Sequence, residues 1–514
     1  MSKLRWGLAT GLALACAAAA GIPTLAQSSR TTSHQMTPRA FKMNSPLSGS
    51  VLMARGIRSG LVERIGAAHI AASRSRLPAS ALPNVQASGG NGASVANETP
   101  IAVDPGDATH MVSGANDYNC GSFQGFYFST DGGSTWTATC FPLEPAALGG
   151  FGDPVLGYLT GKNSVVYGGG IDEDASGNGE IVIASWNKKK NAWNTPVVAA
   201  DVQGIFMDKP WLEIDNGSGS PFQKSLYVSM TQFDLSNGSR IGVSHSTDGG
   251  QTWTLVNVDK AQAYPDIDQF SDLAVDSSGT VYVSWMRCTA NGPTFDCGGT
   301  IATMMVSKST DGGTTWSKPV KADTVALAAD SCFCTFYGTL PNTLERVSDI
   351  PVIAADTSNT SSNGRLYITD TNYDRKFHVL RVQVVTSTDG GAHWSKPVRV
   401  SGKKEKAYND QFFPWINVSD GGLVGVTWMD RRNDHSNVNY EEFGTTSSDG
   451  AGSFAPNLQL ADTPSDPWND GFGGFFIGDY TGNSWTHGAT LNLMASWTDT
   501  RTGEDQDEVG GFTP

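Results

Sequence analysis

Five arginines, Arg287, Arg346, Arg431, Arg432 and Arg501, stand out because the chain before them is poor in that residue, with none between residues 83 and 239. A guanidinium presents a planar fork of donors that matches a carboxylate. These side chains are therefore candidates for gripping an anionic group, the competing reading being Asp–Arg pairs between repeats in "WMDRR" and "WTDTR". Carboxylates recur just ahead of apolar runs at Glu98, Asp153, Asp208, Asp268, Asp349, Asp410 and Asp479. Acid–base glycoside chemistry needs two carboxyl groups close in space, and Asp208, beside Lys209, and Asp268, after Asp266, are available for it. A residue repeated in every unit is first expected to hold a loop, so departures from the repeat are better candidates. In "DEDASGNGE", Asp172, Asp174, Ser176 and Gly177 match the first half of a calcium loop, but Ile183 stands where the bidentate glutamate belongs. Calcium is thus one reading there and a solvated acidic loop the other; no other cofactor is required. No Ser–His–Asp signature, HExxH or phosphate loop occurs.

The elements that must position these residues are repeats. "STDGGSTW" at Ser129–Trp136 returns as "STDGGQTW" at Ser246–Trp253, "STDGGTTW" at Ser309–Trp316, "STDGGAHW" at Ser387–Trp394 and a worn "SSDGAGSF" at Ser447–Phe454. Alternating apolar residues flank each copy, which predicts strand, tight turn, strand. The aspartate can accept turn amides, the glycine supplies a positive φ, and the tryptophan can pack across the hairpin base. A second pattern lies between these clips: a polar lead, an apolar strand, a turn and another apolar strand. It begins near residues 98, 152, 208, 268, 348, 410 and 478. Seven such units predict an all-β, seven-bladed β-propeller over residues 83–514, with six blades as the alternative. "PNVQAS" at Pro83–Ser88 resembles segments that follow a clip, and is expected to supply the last blade's outer strand. The leads and the loops between second and third strands should then open on one face, the mouth. Both candidate sets fall there.

Residues 1–26 read as a bacterial secretory signal, with Lys3 and Arg5 ahead of an apolar run. The chain is expected to be secreted or periplasmic rather than lipidated at Cys16, with no membrane span. Residues 27–82 form a basic leader whose "SGSVLMARGIRSGLVERIGAAHIAASRSR" has helical spacing, expected as a propeptide, an appended helix or a flexible lead. The six remaining cysteines favour disulfides in an exported chain: Cys288 and Cys297 bracket one loop, Cys120 and Cys140 share a repeat, and Cys332 and Cys334 make an awkward neighbouring pair. Residues 81–514 hold 25 basic and 49 acidic side chains, which excludes nucleic acid and anionic membranes as partners. A glycan or glycoconjugate is the expected partner, and the chain is expected to be a monomer.

The five Ser-x-Asp-x-Gly-x-Thr-Trp copies resemble the Asp-box repeat of the sialidase superfamily, across about 430 residues. The resemblance implies a secreted, sialidase-like glycosidase acting on a terminal acidic sugar. Alternatives are a polysaccharide lyase or a non-catalytic propeller that binds glycan or protein. For a sialidase it implies an arginine triad on the substrate carboxylate, taken here as Arg346, Arg431 and Arg501 with Arg287 or Arg432 as substitutes. It further implies a tyrosine nucleophile, Tyr480 in "IGDYTG", a glutamate partner, Glu441 or Glu442 in "NYEEF", and Asp208 or Asp268 as acid/base. The family's early Arg-Ile-Pro is absent, and its catalytic domains usually have six blades.

Overall fold

The computed structural model describes residues 45–62, 74–89 and 95–514, apart from 235–237, 293–295, 333, 402–408 and 489. The secretory-signal expectation lies outside the described residues. Seven antiparallel sheets form a seven-bladed propeller. The innermost strands are Ile101–Val103 (blade I), Gly149–Leu159 (II), Phe206–Ile214 (III), Asp266–Val275 (IV), Val352–Ala355 (V), Gln411–Val418 (VI) and Gly482–Trp485 (VII). Each sheet is covered on both faces by its neighbours, so its central strands are buried along their length. Met111–Asp117, Val424–Asp430 and Leu493–Asp499 have no exposed residue. Trp285, Trp428, Trp485 and Trp497 are wholly buried and fill space where the blades meet.

Blade VII is built from both ends of the propeller. Its order is Val85–Gln86, Gln506–Phe512, Leu493–Asp499, Gly482–Trp485, with Val85 opposite Val509 and Gln86 opposite Glu508. Asn84 adds a cross-blade tie by donating to Leu460 O at 2.8 Å. This pairing covers part of the C-terminal strand's outer edge and closes the ring with strands from both ends of the propeller.

The clips lie between the third and fourth strands of their blades. In blade I, Asp131 Oδ1 accepts Ser129 Oγ at 2.9 Å and Thr135 N at 2.9 Å, while Oδ2 accepts Thr135 Oγ1 at 2.6 Å. Trp136 Nε1 donates to Gly133 O at 3.1 Å, and Gly132 and Gly133 take φ of 73° and 86°. The same bonds recur around Asp248 and Asp311. These contacts hold each clip aspartate ionised; Thr135 and Ser129 keep Asp131 down at about 2. The clip is structural, because every oxygen of its aspartate is spent inside the turn. Asp248→Ala should lower the thermal midpoint by a few degrees and leave the far-ultraviolet spectrum unchanged. An unchanged midpoint would remove the clip from the fold's stability.

Three disulfides join Cys120–Cys140, Cys288–Cys297 and Cys332–Cys334. Among the described residues, no helix is long and apolar enough to cross a membrane. The one α-helix described, Gly49–Arg58, belongs to the leader and packs against the inner strand of blade II. Leu47, Val51, Leu52, Met53 and Ala54 are buried, so this part of the leader is a docked element.

Candidate functional site

The inner strands of blades II, III, IV and VI each carry a bulge near their start, after Gly152, Asp208, Gln269 and Phe412. The residue within the bulge has a left-handed backbone: Asp153 (φ 54°), Lys209 (47°), Phe270 (62°) and Phe413 (48°). Glu98, ahead of the inner strand of blade I, is left-handed too, at 58°. None is glycine, so each holds strain of about 1–3 kcal/mol, a feature that gathers at functional sites. Bulges also re-aim side chains. The device serves every bulged blade, but the side chain it presents differs: aromatic in blades IV and VI, ionisable in II and III.

Four of the seven lead carboxylates meet at the mouth: Glu98, Asp153, Asp208 and Asp479, from blades I, II, III and the lead of VII. All four are fully buried, as are Lys209 and Arg346. Arg346 grips Asp479 with two parallel bonds, Nε to Oδ1 at 2.8 Å and Nη2 to Oδ2 at 3.0 Å. Asp479 N donates to Glu98 Oε1 at 3.1 Å. Lys209 Nζ lies 3.8 Å from the centre of the Tyr480 ring and 5.0 Å from that of Trp211. Lys209 Nζ and Asp208 Oδ1 make no hydrogen bond to the described residues.

Burial sets the protonation of the cluster. Desolvation, followed by the charges of Asp153 and Asp479, pushes the Glu98 carboxyl well above its ordinary range. Burial pushes Asp208 up to about 7, with the Asp153 charge adding to it. Asp153 is also raised by burial, but Lys209 opposes the rise. Lys209 itself is lowered by desolvation against the pull of Asp153 and Glu98. Glu98 and Asp208 therefore hold protons near neutral pH, while Asp153 is the carboxylate that the ammonium favours as an anion.

The other three lead acids lie outside this cluster, and Asp410 also accepts Leu380 N of blade V at 2.8 Å. Asp268 binds Arg287 through two bonds of 2.7 and 2.8 Å, and Arg287 also reaches Asp259 at 3.0 Å. Asp410 faces Arg431 at 3.5 Å, and Asp349 accepts Thr371 N at 2.9 Å. The expected arginine triad is not assembled, because each member has a different carboxylate. Arg346 holds Asp479, Arg431 faces Asp410 and donates to Pro341 O at 2.8 Å, and Arg501 binds Asp499 and Asp462. Arg432 pairs with Asp430 within the same strand end and donates to Asn457. The Asp–Arg pairs inside "WMDRR" and "WTDTR" thus form within a blade, while Arg501 also crosses to Asp462, which follows the outer strand of blade VI. Tyr480 is buried, and its hydroxyl donates to Pro154 O at 3.0 Å. Desolvation and the charges of Glu98 and Asp153 raise that phenol well above its ordinary value, which disfavours a phenolate nucleophile.

Glu441 is held by Asn433 and Gln459 of its own blade, and Glu442 lies buried beside it. In the acidic loop, Asp172 accepts Glu144 N at 2.8 Å, whereas Asp174 accepts Ser176 N and Asn178 N. The two carboxylates therefore tie different parts of the blade. Asp330, Cys332 and Cys334 are the one group of ligand-type side chains clustered among the described residues, and both sulfurs there are in a disulfide.

The leader covers the mouth cluster. Ser48 N donates to Asp208 Oδ2 at 2.7 Å and Gly49 N to Asp479 Oδ2 at 2.8 Å, while Ser50 Oγ donates to Asp153 Oδ1. Pro46 O accepts from Tyr337 OH at 2.7 Å and Gln269 Nε2 at 3.0 Å, and Leu47 O from Arg346 Nη1 at 3.0 Å. At the far end of the helix, Arg58 binds Glu173 and Gly150 O, and Arg55 lies over the Phe206 ring at 4.6 Å. Glu98, Asp153 and Asp479 were legible as lead residues but not as members of one cluster, and nothing local to residues 46–50 marks them as its cover. Below the cluster, Trp211, Trp415 and Tyr480 pack together, with centroids 4.5 to 6.1 Å apart. Past them the inner strands enclose a cavity of about 580 Å³ at the opposite end, walled by Glu213, Asp272, Trp415 and Asn483 among others.

No protein-family model matches the chain, and no curated protein matches it. Among solved structures it shows a distant likeness to a Hadza microbial sialidase, at 10% identity and a TM-score of 0.42, over 82% of this chain and 66% of that one. An α-L-arabinofuranosidase from Fusarium graminearum is similar at 11% identity and 0.42, over 84% and 97%. An ulvan lyase of family PL25 is similar at 11% identity and 0.48, over 82% and 94%. At such identities the likeness bears on the propeller fold alone.

Proposed function

We propose that this chain is an exported, carbohydrate-directed propeller that carries out acid–base chemistry at the mouth, the reaction class of a glycoside hydrolase. One observation carries the reading: four carboxylates from four blades, with Lys209 and Arg346, are gathered into one desolvated place. Burying like charges together is costly, and their protonation is driven apart, as catalytic acids and bases require. In this reading Asp208 or Glu98 supplies the proton and Asp153 is the ionised partner. The sialidase-type version, with an arginine clamp on an acidic sugar and Tyr480 as nucleophile, has less support. Its arginines are already matched to carboxylates, and the Tyr480 hydroxyl is bound to a backbone carbonyl. The burial of the cluster under residues 46–50 favours, as a second reading, a propeller that binds glycan without cleaving it.

Asp208→Asn and Asp153→Asn, assayed on a panel of neutral, uronic-acid and sialylated oligosaccharides, separate these readings. Loss of a positioned acid or base should cut turnover by about 10²–10⁴-fold while glycan binding persists. Turnover unchanged in both variants would move the chemistry elsewhere. Binding without turnover in the parent protein would establish the second reading.

A further inference from the structure

We infer that the mouth is built for an uncharged, polyhydroxylated ligand, a neutral sugar, and that residues Pro46–Ser50 occupy it as an internal stand-in. The inference rests on the reading of the mouth as the glycan site and adds to it the ligand class and the state of the site. Its basis is the set of polar groups that the occupant presents. Ser48 N, Gly49 N and Ser50 Oγ donate to Asp208, Asp479 and Asp153, while Pro46 O and Leu47 O accept from Tyr337, Gln269 and Arg346. That is three donors and two acceptors on a short stretch without charge. Vicinal hydroxyls of a sugar ring, each both donor and acceptor, can reproduce this set; a carboxylate cannot. An anion would meet the Asp153 and Asp479 carboxylates at once, and the guanidinium of Arg346 is already doubly bound to Asp479.

Two further observations point to a ligand rather than to a sealed joint. Lys209 Nζ and Asp208 Oδ1, both wholly buried, make no hydrogen bond to the occupant or to any other described residue. The occupant therefore leaves part of the cluster's bonding capacity unused, which a differently shaped polyol can take up. The Phe476 ring packs against the occupant at Gly49, where an added Cβ would sit 1.9 Å from Phe476 Cε2. An aromatic side chain beside a small set of placed polar groups is the usual lining of a small-molecule site, and it suits the apolar C–H groups and the hydroxyls of a neutral sugar.

Gly49→Val in the full chain tests both halves without altering the propeller. The side chain collides with Phe476, so the segment should leave, and amides of residues 48–53 should lose hydrogen-exchange protection. A site closed by its own chain binds a ligand more weakly in proportion to the fraction of time that it is open. If the parent is open about one hundredth of the time, the variant should bind neutral oligosaccharides about 100-fold more tightly. The probes are arabinose-, galactose- and glucose-based oligosaccharides beside matched sialosides and uronic-acid oligosaccharides. Protection lost with a gain confined to neutral sugars supports the inference. A gain confined to acidic sugars overturns the ligand class and leaves the glycan reading intact. Protection lost with no sugar bound overturns both. Equal neutral-sugar binding by parent and variant overturns the occupancy alone, as does protection retained in Gly49→Val and in Gly49→Val with Val51→Asp.

Discussion

Arg346→Met should be the most damaging single substitution in the mouth, lowering the thermal midpoint by roughly 3–5 °C. The guanidinium and its partner Asp479 are both without solvent exposure. Removing one member of a buried pair leaves the other as an uncompensated charge, which typically costs about 3–5 kcal/mol. In a domain of this size each kcal/mol is worth about 1 °C. The same substitution takes the donor from Leu47 O, so the leader segment should loosen as well. Arg346→Lys should not rescue, because an ammonium cannot reproduce the two parallel bonds. The double variant Arg346→Met, Asp479→Asn should recover a large part of the loss, since it removes the orphaned carboxylate rather than the contact. Thermal unfolding of the parent, Arg346→Met, Asp479→Asn and the double variant measures the coupling as a double-mutant cycle. A loss under about 1 kcal/mol in the single variant, or no recovery in the double, would show that the pair is not what holds this end of the ring.

How much of this molecule its sequence discloses follows from how far apart the interacting residues lie. The clip is local: Asp131 bonds to residues two before and four after it. Its motif therefore predicts its structure bond for bond. Blade number is legible for the same reason, as each inner hairpin carries its own turn. The mouth is not local. Asp208 meets Ser48 across 160 positions, and Asp479 meets Gly49 across 430. In blades I to IV and VI, whether a lead acid faces the axis cluster or an arginine of its own blade follows the residue at the second strand's end rather than the lead. Asp268 and Asp410 face Arg287 and Arg431, whereas at the matching loop positions of blades I, II and III stand Asp117, Asp172 and Asp234. A comparison of lead and loop residues blade by blade would have sorted five of the seven acids, but not Asp349, whose loop carries Asp370, or Asp479, whose loop carries Arg501. The docking of the leader had a weaker signal: a basic, helix-spaced segment beside a strongly acidic body.

The protein should be most stable in mildly acidic solution and lose stability as the pH rises from about 5 to 8. Burial holds the carboxyls of Asp172, Asp208, Asp272, Asp349, Asp507 and Glu180 up at about 7, and those of Glu213 and Glu508 at about 8. In the unfolded chain such groups release their protons near pH 4. Between about pH 4 and 8 the folded state therefore binds more protons than the unfolded one, and stability must fall as pH rises through that window. The clip aspartates act in the opposite sense. Asp131, Asp248 and Asp449 are held at about 2 by their turn donors, so their contribution is present above pH 4 and fades as the pH drops toward 2. The two sets together place the optimum near pH 4–5. A net difference of one proton is worth about 1.4 kcal/mol per pH unit. From pH 5 to 7 that is about 3 kcal/mol, or roughly 3 °C in the thermal midpoint. Calorimetric scans at pH 5, 6, 7 and 8 and fixed ionic strength measure the slope, and Asp272→Asn should flatten it by removing one of the buried acids. A midpoint that rises or stays level over this range would mean that these carboxyls reach solvent, and with it the desolvated mouth that assigns Asp208 its proton would be lost.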